Sequence, residues 1–332
     1  MISFVRFFLL GISVFVCVSL SSQSVGLFDQ AELMEMNLRA EWDTFLMDRS
    51  DTADYHRASL SFIFGEGQQV LPVKIRVRGN FRRREDICGF PPIRLKIKKK
   101  VAKETIFAGS TRLKLVTHCQ DEVLVLKEYL VYKLYQTMFG EGFRVRLAKV
   151  HYVEKSNNQM RETRFAFFIE SEEMLGKRLQ GQILEDTVAL QELNRKALTQ
   201  LMVFQYMVGN TDWSALMSKN IRLLRREDQS GLRPIPYDFD WSGLVGAPYT
   251  GLDEDFDYRC VPPFCRTVEE YEEVRALLLS KEREVYALIR NFPYLEWEQA
   301  RPMLQYLKKS YRLIKKSGTI NGIFQDPCQE GK

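Results

Sequence analysis

The chain reads as an α+β protein: an N-terminal lobe built on an antiparallel sheet, then a mostly helical C-terminal lobe that holds one small hairpin. Two observations predict this. Up to Glu170 most segments alternate apolar and polar residues with period two, whereas beyond it apolar residues recur mainly at helical spacing. The 332 residues are 45% hydrophobic and 12% aromatic, without internal repeats or low-complexity tracts, which is enough to bury one large core or two packed lobes.

Residues 1–24 read as a secretory signal. A short n-region ending at Arg6 precedes the apolar stretch Phe7 to Leu20, and small residues follow at Ser21, Ser22 and Ser24. The reading implies export to the periplasm or the exterior, with an uncleaved anchor as the alternative. Cys17 follows Val14-Phe15-Val16, which lacks the small residues of a lipobox, so lipid anchoring is not expected. No later run is long and apolar enough to span a bilayer.

The N-terminal lobe, 25–170, starts with helical periodicity over Leu27 to Arg49. Strands are predicted over Tyr55 to Phe64, over Val70 to Arg78 after the Gly65-Glu66-Gly67 turn, over Ile93 to Lys98 and over Thr111 to Thr117. A helix runs from Glu122 to Met138, ended by Gly140 and Gly142. Two more strands, Arg144 to Val153 and Arg164 to Glu170, lead to a crossover near Gly176. In the C-terminal lobe, 171–332, a long helix is predicted over Leu190 to Val208 and a hairpin over Asn220 to Leu224 and Leu232 to Asp238. The tail from Val268 to Lys316 is mostly helical.

The net charge of +5 is mild, but Lys74, Arg76, Arg78, Arg94, Lys96 and Lys98, with Arg82-Arg83-Arg84, crowd one segment. Such a face suits phosphate, nucleic acid or an anionic envelope component, or is simply a solvated sheet face. Outside the signal, export permits disulfides. Cys260 with Cys265 and Cys88 with Cys119 are the pairings to try, leaving Cys328 odd.

The chemistry concentrates in two segments. In Gly209-Asn210-Thr211-Asp212 an aspartate follows a helix end, and Asn220 then opens an apolar strand. In Tyr237-Asp238-Phe239-Asp240 a second apolar strand ends on two carboxylates. Phosphoryl transfer needs these groups: an Asp that orients the attacking hydroxyl and takes its proton, and an Asn and a second Asp as hard oxygen ligands for magnesium. Each motif alone also fits a turn or helix cap. The acidic run Asp253 to Asp257 supplies paired carboxylates for a hydrolase, or a solvated loop.

The first segment resembles the catalytic loop of the HipA and CotH kinase families, and Asp238-Phe239-Asp240 resembles their metal-binding Asp motif. Arg78-Gly79-Asn80 is similar to the Arg-Gly-Asn turn of CotH proteins, and Arg144 to Glu170 to the segment that enters their interlobe connection. The interval between Asp212 and Asn220 is longer than in those families. The resemblance implies a two-lobed, protein-kinase-like atypical kinase using ATP and Mg²⁺, with a protein Ser or Thr as the acceptor. It implies Asp212 as the catalytic residue and Asn220, Asp238 and Asp240 as the metal set. Lys114, or else Lys96, would hold phosphates, with Glu128 steadying the lysine. Arg78 and Gly79 would cover the phosphates, and backbone near Glu170 would meet the base. The alternative is a scaffold protein without turnover.

Overall fold

The computed structural model describes residues 26–184, 187–251 and 266–316. Residues 1–24, read above as a signal, Cys260, Cys265, Cys328 and the acidic run at 253–257 lie outside the described residues.

Strands β1 (Met34–Ala40), β2 (His56–Phe64), β3 (Gly67–Val77), β4 (Ile93–Ile97), β5 (Arg112–Val116), β6 (Val145–Glu154) and β7 (Met160–Ile169) close into a barrel in the order β1-β2-β3-β4-β5-β7-β6. The short helices α1 (Trp42–Met47) and α2 (Lys99–Ala102) flank it, and α3 (Glu122–Phe139) packs between barrel and C-terminal helices. After α4 (Glu172–Arg178), strand β8 (Gly181–Leu184) joins β9 (Ile221–Arg226) and β10 (Arg233–Pro236) in an antiparallel sheet of order β10-β9-β8. Helices α5 (Arg195–Val208), α6 (Val268–Arg290) and α7 (Trp297–Lys315) complete the chain.

The barrel corrects the expected fold. An open antiparallel N-terminal sheet, and with it the two-lobed kinase arrangement, is replaced by a closed mixed barrel. The correction turns on β1, which lies inside the stretch read as helix. Met34, Met36, Leu38 and Ala40 are buried and their neighbours face outward, so the period is two. Strand β1 pairs antiparallel with β2 on one side and parallel with β6 on the other, from Met34↔Ala148 to Ala40↔Glu154. That parallel pair removes both open edges of the sheet. The alternation in β3 and β4 now has a clear meaning. Val73, Ile75, Val77, Ile93 and Leu95 fill the barrel, and the lysines and arginines between them face outward.

A second core lies outside the barrel, where Leu130, Leu134, Phe204, Met207, Phe239 and Leu307 pack together. Helix α3 belongs to this core. Asp121 caps its N-terminus by accepting from the Val123 N–H, and Gly140 ends it at φ 70°.

Cys88 and Cys119 form a disulfide. It ties the loop between β3 and β4 to the start of α3. Arg49 clamps the same loop, donating to the carbonyls of Cys88 and Gly89, both at 2.6 Å. Next to Cys119, His118 packs on the Phe90 ring at 4.6 Å. Burial, with Arg164 nearby, pushes its imidazole down to about 4. Glu162, 3.5 Å from the ring nitrogen, is shared with Arg164 at 3.2 Å and does not offset the burial. The unfolded chain takes up this proton near pH 6.5 and the folded chain only near 4, so the stabilisation is complete above 6.5 and is lost as pH falls through that window. Up to about 3 kcal/mol is at stake. Urea unfolding of wild type and His118→Leu across this range checks it: the variant should lose less stability on acidification, and parallel curves would rule the histidine out.

Candidate functional site

Helix α5 ends at Gly209, whose φ of 65° belongs to the left-handed region that glycine enters freely. The following Asn210 side chain accepts from the Asp212 N–H at 3.1 Å, forming a tight turn. The long interval before Asn220 folds out as a local loop, closed by two backbone hydrogen bonds between Ser214 and Lys219, each 3.0 Å. Asn220 therefore returns to Asp212: its amide donates to the Asp212 carbonyl at 2.7 Å and to Oδ2 at 2.9 Å. Lys219 forms an ion pair with Asp212 Oδ1. Asn220 and Asp238 both adopt left-handed backbone, φ 53° and 62°, which Asn and Asp tolerate better than most residues.

Strand β10 delivers the second motif. Phe239, between Asp238 and Asp240, is fully buried against Tyr132 and Phe204. Tyr132 of α3 accepts the Asp238 N–H at 2.8 Å. The backbone beyond returns to α5, with Gly243 N–H bonded to Gly209 at 2.9 Å. Asp212, Asn220, Asp238 and Asp240 thus face one cleft.

The cleft centres on a residue that sequence reasoning missed. Arg82 is buried and reaches three carboxylates: Glu128 at 3.0 Å, Asp238 at 2.8 Å and Asp240 at 3.3 Å. Those carboxylates hold the Arg82 guanidinium charged despite burial. One cation cannot balance three anions. Burial, together with the neighbouring aspartates, accordingly raises the affinity of Glu128 and Asp240 for a proton, against the pull of Arg82. Tyr249 donates to the same oxygen of Asp240, Oδ2, at 2.9 Å. The signal for Arg82 in the sequence is the arginine run that follows Arg78-Gly79-Asn80, but nothing local says which arginine turns inward.

The expected Lys114–Glu128 pair is not formed. Glu128 is taken by Arg82, and Lys114 on β5 binds Glu172 of α4 at 3.0 Å and lies 5.2 Å over the Tyr237 ring. Arg222 joins them, reaching Glu172 at 3.1 Å and the Tyr237 hydroxyl at 2.8 Å. Lys96 stands on the outward face of β4 over Tyr55, away from this cluster. Glu170 is buried and fully engaged, accepting from Arg178 at 2.9 and 2.7 Å and from the Arg144 N–H at 3.0 Å, so its carboxylate anchors the crossover. Gly79, at φ 93°, makes the turn that lets Arg78 and Arg82 face the same cleft.

Arg78 is the least satisfied of these cations. Its Nε is buried without a hydrogen-bond partner, and among the described residues no carboxylate lies within ion-pair distance. Burial, and then Arg82 and Arg94 against the pull of Asp238, lowers its hold on its proton. Burial and Arg78 do the same to Lys114. A cavity of about 470 Å³ opens beside Lys114, lined also by Arg94, Ile169, Ser171 and Glu172.

Magnesium does not fit these residues as arranged. The Arg82 guanidinium stands between Asp238 and Asp240, where an ion bridging them would sit. Among the described residues no group of three carboxylate, imidazole or thiolate side chains could hold a metal.

No family model matches the chain, and no curated protein matches it in sequence. Solved structures do show similarity. The Helicobacter pylori proinflammatory kinase CtkA aligns with 69% of this chain and 93% of its own, at 9% identity and a TM-score of 0.43. The Golgi casein kinase aligns with 76% of this chain and 74% of its own, at 8% identity and a TM-score of 0.40. HipA of Shewanella oneidensis MR-1, in a complex with HipB and operator DNA, aligns with 64% of this chain and 59% of its own, at 12% identity and a TM-score of 0.36. Likeness at this distance carries no functional argument, which rests on the cleft itself.

Proposed function

We propose that the cleft binds the phosphates of a nucleotide and transfers the terminal one to a hydroxyl, as an atypical kinase does. The observation that carries the reading is the cationic group Arg78, Arg82 and Lys114, in which the buried Arg78 Nε has no hydrogen-bond partner, set beside a restrained aspartate. Positive charge on one side and a base on the other are what phosphoryl transfer requires.

In this reading the nucleotide lies in the cavity at Lys114, its phosphates meeting Lys114 and Arg78. The acceptor hydroxyl approaches Asp212, which Asn220 and Lys219 hold in place. The hydroxyl oxygen attacks the γ-phosphorus, its proton passes to Asp212, and the bond to the bridging oxygen breaks to release the nucleoside diphosphate. Arg82 supplies charge that a metal would otherwise bring. Export, read from residues 1–24, and a protein Ser or Thr acceptor are parts of the same proposal.

Thermal melting with ATP, with and without magnesium, tests the site, and γ-phosphate transfer to a mixed protein acceptor tests turnover. ATP at a hundredfold excess over Kd should stabilise the protein by about 2.7 kcal/mol even without metal. Asp212→Asn should keep that shift and lose transfer by at least about a hundredfold. No shift in wild type would overturn the proposal. A shift without transfer would leave the second reading, a phosphate-binding scaffold without turnover, which the Arg82 bridge across Asp238 and Asp240 favours.

A further inference from the structure

The outward face of the barrel carries basic residues in register. Across four strands, Arg57, Lys74, Lys96 and Arg112 are direct partners in one row. Arg76, Arg94 and Lys114 form the next row. Neighbours within a row are roughly 5 Å apart and the rows roughly 7 Å apart. Like charges directly opposite one another destabilise a sheet. Among the described residues none of Arg57, Lys74, Arg76, Arg94, Lys96 and Arg112 has a carboxylate within 4.0 Å. An arrangement that repels itself, with Glu172 on Lys114 as its one ion-pair partner among the described residues, is complementary to an external anion.

Two further observations say what kind. A groove of about 570 Å³ runs through the first row, with Arg57, Lys74, Lys96 and Lys98 around the apolar surfaces of Pro72 and Val101. Cations around an apolar floor suit an amphiphile with an anionic head. On the same outward face, where β2 and β3 approach their turn, Ile63 is 80% exposed and Val70 is 63% exposed. Single-stranded nucleic acid would need aromatic stacking platforms. The ring beside the rows, Tyr55, is instead covered by Arg76 at 5.0 Å and Lys96 at 5.6 Å.

We propose that this face docks on an anionic lipid bilayer, the cationic rows meeting headgroup phosphates while Ile63 and Val70 enter the interface. Surface cations attract such membranes and exposed aliphatic side chains partition into the headgroup boundary. The inference does not require turnover in the cleft, although Arg94, Arg112 and Lys114 at the end of the rows also line the cavity there. Among the described residues no helix is long and apolar enough to cross a membrane.

The test is co-sedimentation of the full chain with vesicles of phosphatidylcholine alone, and of phosphatidylcholine mixed with an equal part of phosphatidylglycerol. The quantity read is the gain in binding on adding phosphatidylglycerol, because residues 1–24 contribute equally to every variant. Each cation near the surface contributes about fivefold. The triple variant Lys74→Glu, Lys96→Glu, Arg112→Glu should therefore lose the gain by more than about a hundredfold. Its neutral counterpart, with Gln at the three positions, separates charge from any folding defect that melting reveals. Ile63→Ser with Val70→Ser should weaken binding several-fold at unchanged charge. The proposal is overturned if wild type shows no gain, or if both triple variants keep it. It is also overturned if the Ile63, Val70 variant binds as wild type does and free polyphosphate strips the protein from vesicles, since the face would then serve a soluble polyanion.

Discussion

Arg82→Met is expected to lower the stability of the protein by about 3–5 kcal/mol, the cost of removing one partner from a buried charge cluster. The guanidinium is buried and is the cation between Glu128, Asp238 and Asp240. Without it three carboxylates face one another in low dielectric, and methionine fills the volume but satisfies none of them. The deficit should depend on pH. Protonation of Glu128 and Asp240, already favoured by burial, relieves the repulsion. The variant should therefore approach wild type in acid and fall behind as pH rises. Urea titrations at acidic and alkaline pH measure this. Arg82→Lys keeps the charge but cannot present a planar fork to three acids, and should recover only part of the loss. Equal midpoints for Arg82→Met and wild type at all pH values would mean that the bridge does not form in solution.

Loss of the disulfide has the next largest expected effect. Cys88 and Cys119 are separated by 31 residues, for which chain entropy predicts about 3–4 kcal/mol. The bridge holds the loop that carries Arg82 against the start of the helix that carries Glu128. Arg49 also clamps this loop, as does Gln120, which donates to the Ile87 carbonyl at 2.6 Å, so part of its order survives reduction. Cys88→Ser with Cys119→Ser should therefore melt lower than wild type, and the ATP-dependent shift should shrink with it. Melting of wild type with and without reductant is the companion measurement. If neither reductant nor the double variant moves the midpoint, the bridge contributes nothing to stability.

Much of this architecture was legible in the sequence because local periodicity reports which side of an element is buried. Val73, Ile75 and Val77 alternate with Lys74, Arg76 and Arg78, and the strand they predict is β3. The helix over Glu122 to Met138, the hairpin at 220–238 and the helical tail were readable for the same reason. Asp212, Asn220, Asp238 and Asp240 stood out because each closes or opens an apolar element, and turns concentrate polar chemistry.

Tertiary structure alone decided the rest. In β1 the alternating core residues are methionine, leucine and alanine, all good helix formers, and what makes the segment a strand is pairing with β6 across the barrel. Arg82 lies among several arginines of equal local merit, and its partner Asp238 is 156 residues away. Which lysine meets which glutamate is set in the same way: Lys114 could reach Glu128 in sequence logic, but the fold gives Glu128 to Arg82 and Glu172 to Lys114. The sequence by itself determined which faces must leave water, because hydrophobic spacing is local. Which buried charges come to neutralise one another was decided only by the tertiary structure, because that depends on topology and no local pattern records it.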